Sequence, residues 1–344
     1  MAKVTIHDVA RLSGVHRSTV SRVLTGSGPA SQEAREKVLA ASKQLNYHPN
    51  TVAGALKSKR RTTWGLLSSW ACSPNSMDHF YAKTLGGLLD SAARVNFRVT
   101  LYNFQGRFDE GLEPLRFCHD SHLAGIAILA PRTQDSFLAE LKSLDIPCLL
   151  LSHRPQDPSV SFVDLDNVVG ARLVVEHMIS LGHRRISFIG GELALNSNAR
   201  DRFQGYQEAL RRAGIPEVAE LVKHGQFDPN HGRMAMKELL QLPPQQRPTA
   251  VFCATDLLAL AVMDEARVSG LSLPGDLSVA GFDDSPVAAT SRPSLTTVRQ
   301  PFYEMGLQAG DLLHQMMEKK IPMPVRKLYE ANLIPRESTA PPRA

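Results

Sequence analysis

The feature that most constrains the fold of this chain is a series of short, continuous apolar runs that begins after residue 61. They lie at residues 64–67, 98–102, 125–130, 147–151, 162–165, 185–190, 250–254 and 277–282. Helical stretches separate most of these runs, at residues 83–95, 137–144, 170–181, 205–214 and 256–270. Strands that are apolar on both faces belong in parallel sheets covered by helices on both sides. The pattern therefore predicts an α/β region, and eight runs fit two open sheets better than one.

Polar residues of mixed charge follow these predicted strands. In open parallel sheets, ligands bind beyond the carboxyl ends of the strands. Carboxylates and guanidinium groups suit a small polyhydroxylated or amphoteric ligand, and aromatic rings offer faces to the C–H groups of a sugar. The residues expected to contact such a ligand are Ser69, Trp70, Phe80, Tyr81, Arg132, Ser152, Asp166, Arg202, Thr255 and Asp283. For Thr255 and Asp166 the alternative is a structural role as N-caps of the helices that follow them.

Charge is distributed unevenly along the chain. Residues 1–61 contain eleven Lys and Arg against three Asp and Glu, a net charge of +8. The remaining residues contain 28 basic and 31 acidic side chains, a net charge of −3. A small basic segment attached to a mildly acidic body indicates a polyanion partner for the first segment and a different task for the second.

The basic segment contains the start and stop signals of three short helices. Thr5 and Asp8 form a capping-box pattern at the start of the first helix, and Gly14 ends it. A second helix is expected from Arg17 to Leu24, and Ser31 caps a third that ends at Asn46. Two short helices joined by a three- or four-residue turn containing Gly form a helix-turn-helix, whose second helix normally lies in the major groove of DNA.

One face of the second helix carries Arg17, Ser18, Ser21 and Arg22, opposite its apolar residues. A forked guanidinium suits the edge of a guanine, and a hydroxyl accepts several partners. The alternative is an amphipathic surface helix with incidental charges. Charge asymmetry and the segment that follows favour the DNA-binding interpretation.

Residues 50–57 are expected to form a short hinge helix, capped by Asn50 and running from Thr51 to Lys57. A helix of this length is marginal in water and Gly54 weakens it further, so it should fold only on binding DNA. Leu56 beside a basic run fits a minor-groove wedge. The alternative is a plain linker. The full set of expected DNA contacts is Thr5, Arg17, Ser18, Thr19, Ser21, Arg22, Asn50, Val52, Ala53 and Leu56.

The segment VTIHDVARLSGVHRSTVSRVLTGSGPASQEAREKVLAASKQLNYHPNTVAGALKSKR resembles the headpiece and hinge of LacI-family transcriptional regulators. VDLDNVVGARLVVEHMISLGHRRISFIGG, ATDLLALAVMD and LSVAGFDDSPVAATSRPSLTTVRQP are similar to stretches of the regulatory domain of that family, and the resemblance extends to about residue 336. His16 stands where the family pattern has serine, which predicts a weaker cap of the second helix. Thr255 stands in place of the usual asparagine, and the loop after the first strand is longer than usual.

This resemblance implies that Arg17, Ser18 and Arg22 read bases, and that Leu56 pairs with its dimer mate to open the central step of the operator. It implies a regulatory domain with the fold of periplasmic sugar-binding proteins, in which Arg202, Thr255 and Asp283 match effector contacts. The expected fold is an all-α helix-turn-helix headpiece with a hinge helix, joined to a two-lobed α/β domain. The expected divisions are a headpiece at 1–49, a hinge at 50–61 and an effector domain at 62–340. Its lobes are expected at about 62–164 with 293–325, and at 165–292 with 326–340.

The function expected from these observations is a DNA-binding repressor whose operator affinity is controlled by a small metabolite, with a sugar or sugar derivative favoured. Control by a partner protein, or by a non-sugar corepressor such as a purine, stays open. The sequence has no GxSxG, P-loop or GxGxxG motif and no zinc-like cysteine spacing, so we expect no enzyme, cofactor or metal site. One headpiece reads one half-site, so we expect a homodimer on double-stranded, pseudo-palindromic operator DNA. The absence of a signal peptide and of an apolar run long enough to span a membrane predicts a cytoplasmic protein without a membrane partner.

Overall fold

The computed structural model describes residues 4–25, 28–47, 61–68, 79–103, 118, 122–131 and 146–343. The chain divides into two compact units, Met1–Arg61 and Thr62–Ala344. The predicted hinge helix and the helix expected at 137–144 lie outside the described residues. So do seven of the expected contact residues, namely Asn50, Val52, Ala53, Leu56, Ser69, Trp70 and Arg132.

Three helices in the first unit pack around a small valine core. They are α1 (Ile6–Ser13), α2 (Arg17–Thr25) and α3 (Gln32–Gln44). Val9, Val20 and Val38 come from the three helices in turn and are fully buried. The predicted all-α helix-turn-helix is confirmed.

Local capping fixes where these helices begin and end. The Asp8 carboxylate accepts hydrogen bonds from the N–H and the hydroxyl of Thr5 at 2.9 and 2.7 Å. Gly14 ends α1 in the left-handed conformation with φ of +64°, which costs glycine little. Ser31 accepts a hydrogen bond from the N–H of Ala34 and caps α3.

A six-stranded parallel sheet begins the second unit, with strand order β11-β5-β4-β3-β1-β2. Its strands are β1 (Thr63–Ser68), β2 (Arg98–Asn103), β3 (Gly125–Leu129), β4 (Cys148–Leu151), β5 (Ser161–Leu165) and β11 (Arg326–Tyr329). Described helices α4 (His79–Arg94) and α10 (Phe302–Met317) pack against one another and join the core of this sheet. A Cβ at Gly87 would meet the backbone of Tyr303, so glycine lets these two helices touch main chain to main chain.

The second sheet has four parallel strands in the order β7-β6-β8-β9. Its strands are β6 (Ile186–Gly191), β7 (Val222–Gly225), β8 (Ala250–Cys253) and β9 (Ser278–Ala280). The helices of this part are α5 (Asn167–Ser180), α6 (Ser197–Arg212), α7 (Pro229–Gln241), α8 (Asp256–Val268) and the short α9 (Pro286–Thr290). Apolar side chains of these elements form two core clusters. Two parallel sheets were predicted, and their presence confirms the α/β fold class.

A two-stranded antiparallel ribbon of β10 (Thr297–Arg299) and β12 (Asn332–Ile334) completes the second unit. The expected assignment of residues 326–340 to the second lobe is wrong for β11. This strand pairs in parallel with β5 of the first sheet, with Arg326 opposite Phe162. Residues 336–340 instead hydrogen-bond to β9 and the segment before β10, through Val279, Ser278 and Thr296.

None of the described helices is long and apolar enough to cross a membrane. The described cysteines, Cys118, Cys148 and Cys253, are free thiols, as their spacing predicts. Burial raises the pKa of Cys118 to about 12, so this thiol is an inert part of the core.

Candidate functional site

Helix α2 presents a polar face away from the valine core. Arg17, Ser18 and Arg22 are exposed, whereas Val20 and Val23 are buried. Exposed donors at the first turn of a second helix have the placement that base-edge contacts require. The expected contact residues of this helix therefore share its exposed face, apart from Thr19 and Ser21, which are half-buried.

His16 caps α2. Its Nδ1 accepts a hydrogen bond from the backbone N–H of Ser18 at 3.3 Å, and the Ser18 hydroxyl lies 2.7 Å from the same nitrogen. The imidazole thus supplies a cap acceptor at this position, and the expectation of a weaker cap stays a prediction. Arg17 Nη1 lies 3.5 Å from Nε2 of His7 on α1, which places this guanidinium at the junction of α1 and α2.

The Arg22 side chain forms its hydrogen bonds within the first unit. Its guanidinium donates to the carbonyl of Pro29 at 3.3 Å, to the Thr19 hydroxyl at 3.1 Å and to the Ser18 carbonyl at 3.4 Å. Thr5 is engaged with Asp8 at the other end of the motif. Arg17 and Ser18 are thus the best-placed base-reading candidates among the described residues.

A cavity of about 330 Å³ opens in the second unit. Six of the expected ligand contacts line it, namely Phe80, Tyr81, Ser152, Arg202, Thr255 and Asp283. Ten further residues complete the lining: Ala130, Asn196, Asn198, Gln226, Phe227, Asp228, Pro229, Leu257, Gln300 and Phe302. Most of them follow the carboxyl ends of strands of both sheets, so the cavity lies where two open sheets bring their loops together.

Arg202 on α6 is the buried cation of this cavity, with 4% of its surface exposed. Its Nε donates to Asn167 Oδ1 at 2.8 Å and its Nη1 donates to the carbonyl of Ala254 at 2.5 Å. The guanidinium carbon lies 4.0 Å from the centre of the Phe282 ring, and Nη1 lies 3.9 Å from Asp283 Oδ1. Burial lowers the pKa of Arg202, and the nearby Asp283 opposes that shift. The side chain is consequently locked in one orientation.

Asp283 stands on a backbone that side chains rarely adopt, with φ of +129° followed by +54° at Asp284. Such conformations cost roughly 1–3 kcal/mol each and persist where neighbouring contacts fix them. Asp284 accepts from Arg299 at 2.8 Å and from Arg336 at 2.5 Å. The Asp284 side chain therefore ties the strained loop to β10 and to the segment after β12.

A second carboxylate, Asp256, stabilises this loop through hydrogen bonds. Asp256 accepts from the N–H and hydroxyl of Ser285 at 2.7 and 2.8 Å and from the Thr297 hydroxyl at 2.5 Å. Burial raises the pKa of Asp256, and these hydrogen bonds oppose the rise. The position of Asp283 is therefore set before any ligand arrives.

Two buried oxygens of the cavity wall have no hydrogen-bond partner among the described residues. They are Ser152 Oγ and Gln300 Oε1. Gln300 uses its Nε2 to donate to Asp283 Oδ1 at 2.5 Å, which turns its carbonyl oxygen away from that carboxylate. Buried polar atoms normally find partners, so these two oxygens are candidates for a partner that the described residues do not supply.

Asp166 and Thr255, for which N-capping was the alternative role, differ in whether they line the cavity. Asp166 accepts from the N–H of Val169 at 3.1 Å and caps α5, and among the described residues it does not line the cavity. Thr255 accepts from the N–H of Leu258 at 3.2 Å and caps α8, yet it also lines the cavity.

Sequence reasoning missed several lining residues because it missed the strands that place them. Gln226 and Phe227 follow β7, whose sequence VKHG is polar, and Gln300 follows β10, whose sequence TVR is very short. Asn196 and Asn198 lie in the segment before Arg202, where an Asn-rich stretch after an apolar strand was the available signal. In the part of the chain that the structure describes, no cluster of His, Cys, Asp and Glu is arranged to hold a metal ion.

Comparison with known proteins matches both units. Residues 5–50 match the model of bacterial regulatory proteins of the lacI family, and residues 175–339 match a periplasmic binding protein-like domain. The HTH-type transcriptional regulator CelR of Thermobifida fusca is 36% identical over 340 residues, covering 97% of this chain and 98% of CelR.

Two solved structures are similar over nearly the whole chain. A CelR–cellobiose complex has a TM-score of 0.74 at 35% identity, and the lac repressor dimer bound to operator and the anti-inducer ONPF has a TM-score of 0.87 at 29% identity. Each covers 98% of this chain and 100% of the solved chain. These relatives regulate transcription and are not enzymes. Because its helix-turn-helix unit and its two-sheet unit both match, this chain belongs to the lacI family of bacterial regulatory proteins and is a DNA-binding transcription regulator.

Proposed function

We propose that this protein is a homodimeric repressor, and that a neutral sugar bound in the cavity controls its affinity for operator DNA. The cavity carries this proposal, because it combines a fixed Arg202–Asp283 pair with the unpaired oxygens of Ser152 and Gln300. The relatives support the same assignment, since one of them is described in complex with cellobiose. Its place of action is the cytoplasm, where operator DNA is found.

On the DNA side, one headpiece reads one half-site of a pseudo-palindromic operator. Arg17 contributes a bidentate donor and Ser18 a hydroxyl, both at the exposed start of α2. On this proposal the interface also includes the hinge residues Asn50, Val52, Ala53 and Leu56, which lie outside the described residues, with Leu56 as a minor-groove wedge. A dimer follows from the two-fold symmetry of such operators, and sedimentation of the full-length protein as a dimer tests it.

A sugar fits the cavity because its two kinds of surface match the two kinds of lining. Phe80, Tyr81, Phe227 and Phe302 offer aromatic surface to C–H faces, and Phe80 is held edge-on to Phe302 with ring centres 5.0 Å apart. Hydroxyl groups meet amide, hydroxyl, carboxylate and guanidinium groups on the same wall. A cavity of about 330 Å³ lies in the usual range for small-molecule sites.

The charge of the cavity favours a neutral ligand. Among the described lining residues, Arg202 is its only Lys or Arg side chain, and Asp283 lies within 3.9 Å of it. Two of the five N–H donors of the guanidinium already serve Asn167 and Ala254. A phosphorylated or carboxylated ligand would bring an uncompensated negative charge beside Asp283.

A thermal-shift panel with the full-length protein tests the effector assignment. It contains cellobiose, other neutral disaccharides, hexoses, hexose phosphates and purine bases. We expect stabilisation by a neutral sugar, with cellobiose as the first candidate, and a change in operator affinity at the same sugar concentration. A response confined to purine bases or to phosphorylated sugars would contradict the proposal.

A further inference from the structure

A buried acid lies behind the cavity wall. Asp164 is the fourth residue of β5 and its surface is completely buried. Its Oδ1 accepts from the N–H of Leu165 at 2.8 Å and from Asn167 Nδ2 at 3.3 Å, while its Oδ2 has no partner among the described residues. Burial raises the pKa of Asp164 from 3.8 to about 7. The carboxyl group therefore changes charge near neutral pH.

Asn167 connects this acid to the cavity. The same amide donates to Asp164 through Nδ2 and accepts from Arg202 Nε through Oδ1, at 2.8 Å. Nδ2 also lies 3.1 Å from the Leu165 carbonyl and 3.4 Å from Asn198 Oδ1. Arg202 and Asn198 both line the cavity. A chain of direct contacts thus runs from Asp164 to two side chains of the cavity.

The protonation state of Asp164 decides which way the Asn167 amide is best turned. An ionised carboxylate only accepts, so it holds the NH₂ group toward itself and leaves the amide oxygen to Arg202. Protonation removes the charge from this acceptor and so weakens the hydrogen bond from Nδ2 that helps to orient the amide. Protonation therefore loosens the hydrogen bond that fixes the guanidinium.

We propose that Asp164 is a positioning residue of the effector cavity, acting through Asn167 on Arg202, and that its ionised form is the one that prepares Arg202 for ligand. This inference rests on the proposed function, in which Arg202 contacts the effector. Effector affinity should then rise with pH through the neutral range, and effector binding should release a proton from Asp164, by linkage.

The two charged groups nearest Asp164 act in opposite directions, and the other titratable groups around it keep one charge state. From α6, Arg202 favours the ionised form and Asp201 opposes it. On the neighbouring strands the residues in register are apolar, with Leu328 of β11 opposite Asp164 and Leu151 of β4 opposite Val163. His153 follows β4, and burial lowers its pKa to about 4, so it stays neutral while Asp164 titrates. Asp166, at the start of α5, is committed to the N–H of Val169.

The first measurement needs no ligand. In full-length protein labelled with ¹⁵N-arginine, the Nε–H resonance of Arg202 reports its hydrogen bond to Asn167, and Arg202→Lys assigns it. We expect this resonance to titrate with a midpoint near pH 7 in the wild type and to be flat in Asp164→Asn. Asn167→Ala, which removes the connecting amide, should also flatten it and serves if Asp164→Asn folds poorly. Asp201→Asn is the matched control and should keep the titration with a lower midpoint, because Asp201 favours the protonated form.

The second measurement is calorimetric titration of cellobiose from pH 6 to 8. We expect wild-type affinity to rise about 3- to 10-fold across this range, given at most tenfold per pH unit for one proton, and Asp164→Asn to show no such rise. A wild-type Arg202 resonance that does not titrate, or one that still titrates in Asp164→Asn, overturns the role of Asp164. Lack of cellobiose binding at every pH instead contradicts the effector assignment, and the resonance then decides the role of Asp164 alone.

Discussion

Two buried groups of the second unit should make opposite contributions to the pH dependence of stability. Burial lowers the pKa of His153 from 6.5 to about 4, and burial raises the pKa of Asp164 from 3.8 to about 7. Both side chains are nearly inaccessible to solvent, His153 at 3% and Asp164 at 0% exposure, so solvent screening does not reduce these contributions. The perturbations that separate them are Asp164→Asn and His153→Gln.

The signs follow from which state binds the proton. Between about pH 4 and 6.5, His153 is protonated only in the unfolded chain, so its contribution to stability falls on acidification by about 1.4 kcal/mol per pH unit. In the same range Asp164 is protonated only in the folded chain, so its contribution rises on acidification by the same amount. These two slopes cancel in the wild type. The full pKa shifts correspond to about 3 kcal/mol of unfolding free energy for His153 and about 4 kcal/mol for Asp164.

Each variant keeps only one of the two groups, so the pH dependence of its unfolding free energy reports that group. Relative to the wild type, Asp164→Asn should lose about 2 kcal/mol of unfolding free energy on going from pH 6.0 to 4.5, and His153→Gln should gain about 2 kcal/mol. Groups that titrate elsewhere in the chain are common to all three proteins and drop out of these differences. The assay is urea unfolding at several pH values, followed by the fluorescence of tryptophan, since Trp64 is buried in the first sheet.

A difference between Asp164→Asn and the wild type that is independent of pH would mean that Asp164 has an ordinary pKa in the folded protein, and would refute the prediction. A change with pH in the same direction for both variants would refute it too. A constant offset added to the expected slopes would only report the packing cost of each substitution.

Three other outcomes are expected, the first two from described residues and the third from the sequence of the hinge. Arg17→Ala should weaken operator binding by about 1–3 kcal/mol, with the loss confined to one symmetric pair of positions in a set of base-substituted operators; a uniform loss with a flatter salt dependence would identify a phosphate contact instead. Asp256→Ala removes the acceptor of three hydrogen bonds beneath the Asp283 loop and should lower the free energy of unfolding by about 2–5 kcal/mol in urea, with an unchanged value counting against that support. Leu56→Ala should abolish operator kinking in a gel-bending assay, and a kink that persists would exclude the wedge.

The elements that could be predicted from the sequence are those with an unambiguous apolar pattern. All eight apolar runs are strands, and most are buried on both sides of a parallel sheet, whereas β2 lies at the edge of the first sheet and is half-exposed. β7 and β11 carry the sequences VKHG and RKLY at sheet edges, where half-exposed strands need little apolar character, so periodicity does not reveal them. Missing β11 also caused the error in assigning residues 326–329 to a lobe.

Site residues could be predicted where a polar side chain directly follows an apolar strand. Ser152 and Asp283 are of this kind. Gln300 follows a strand of only three residues, and its role depends on a hydrogen bond to Asp283 that no local pattern encodes. The His16 cap and the burial of Asp164 likewise depend on three-dimensional contacts, because histidine is not a usual cap and FVDL is otherwise an ordinary strand sequence.

Operator titration with and without cellobiose tests the central claim most directly. The proteins are the wild type, Asp283→Ala and, as a matched control, Asp264→Ala, which removes an exposed carboxylate of α8 that does not line the described cavity. A ligand changes operator affinity only by its unequal affinity for the two states of the protein, and the usual coupling of about 1–3 kcal/mol corresponds to roughly 5- to 150-fold. We predict a change of that size in the wild type and in Asp264→Ala, and none in Asp283→Ala, whose operator affinity without sugar stays close to that of the wild type. A full cellobiose response in Asp283→Ala would place the effector elsewhere and contradict this account.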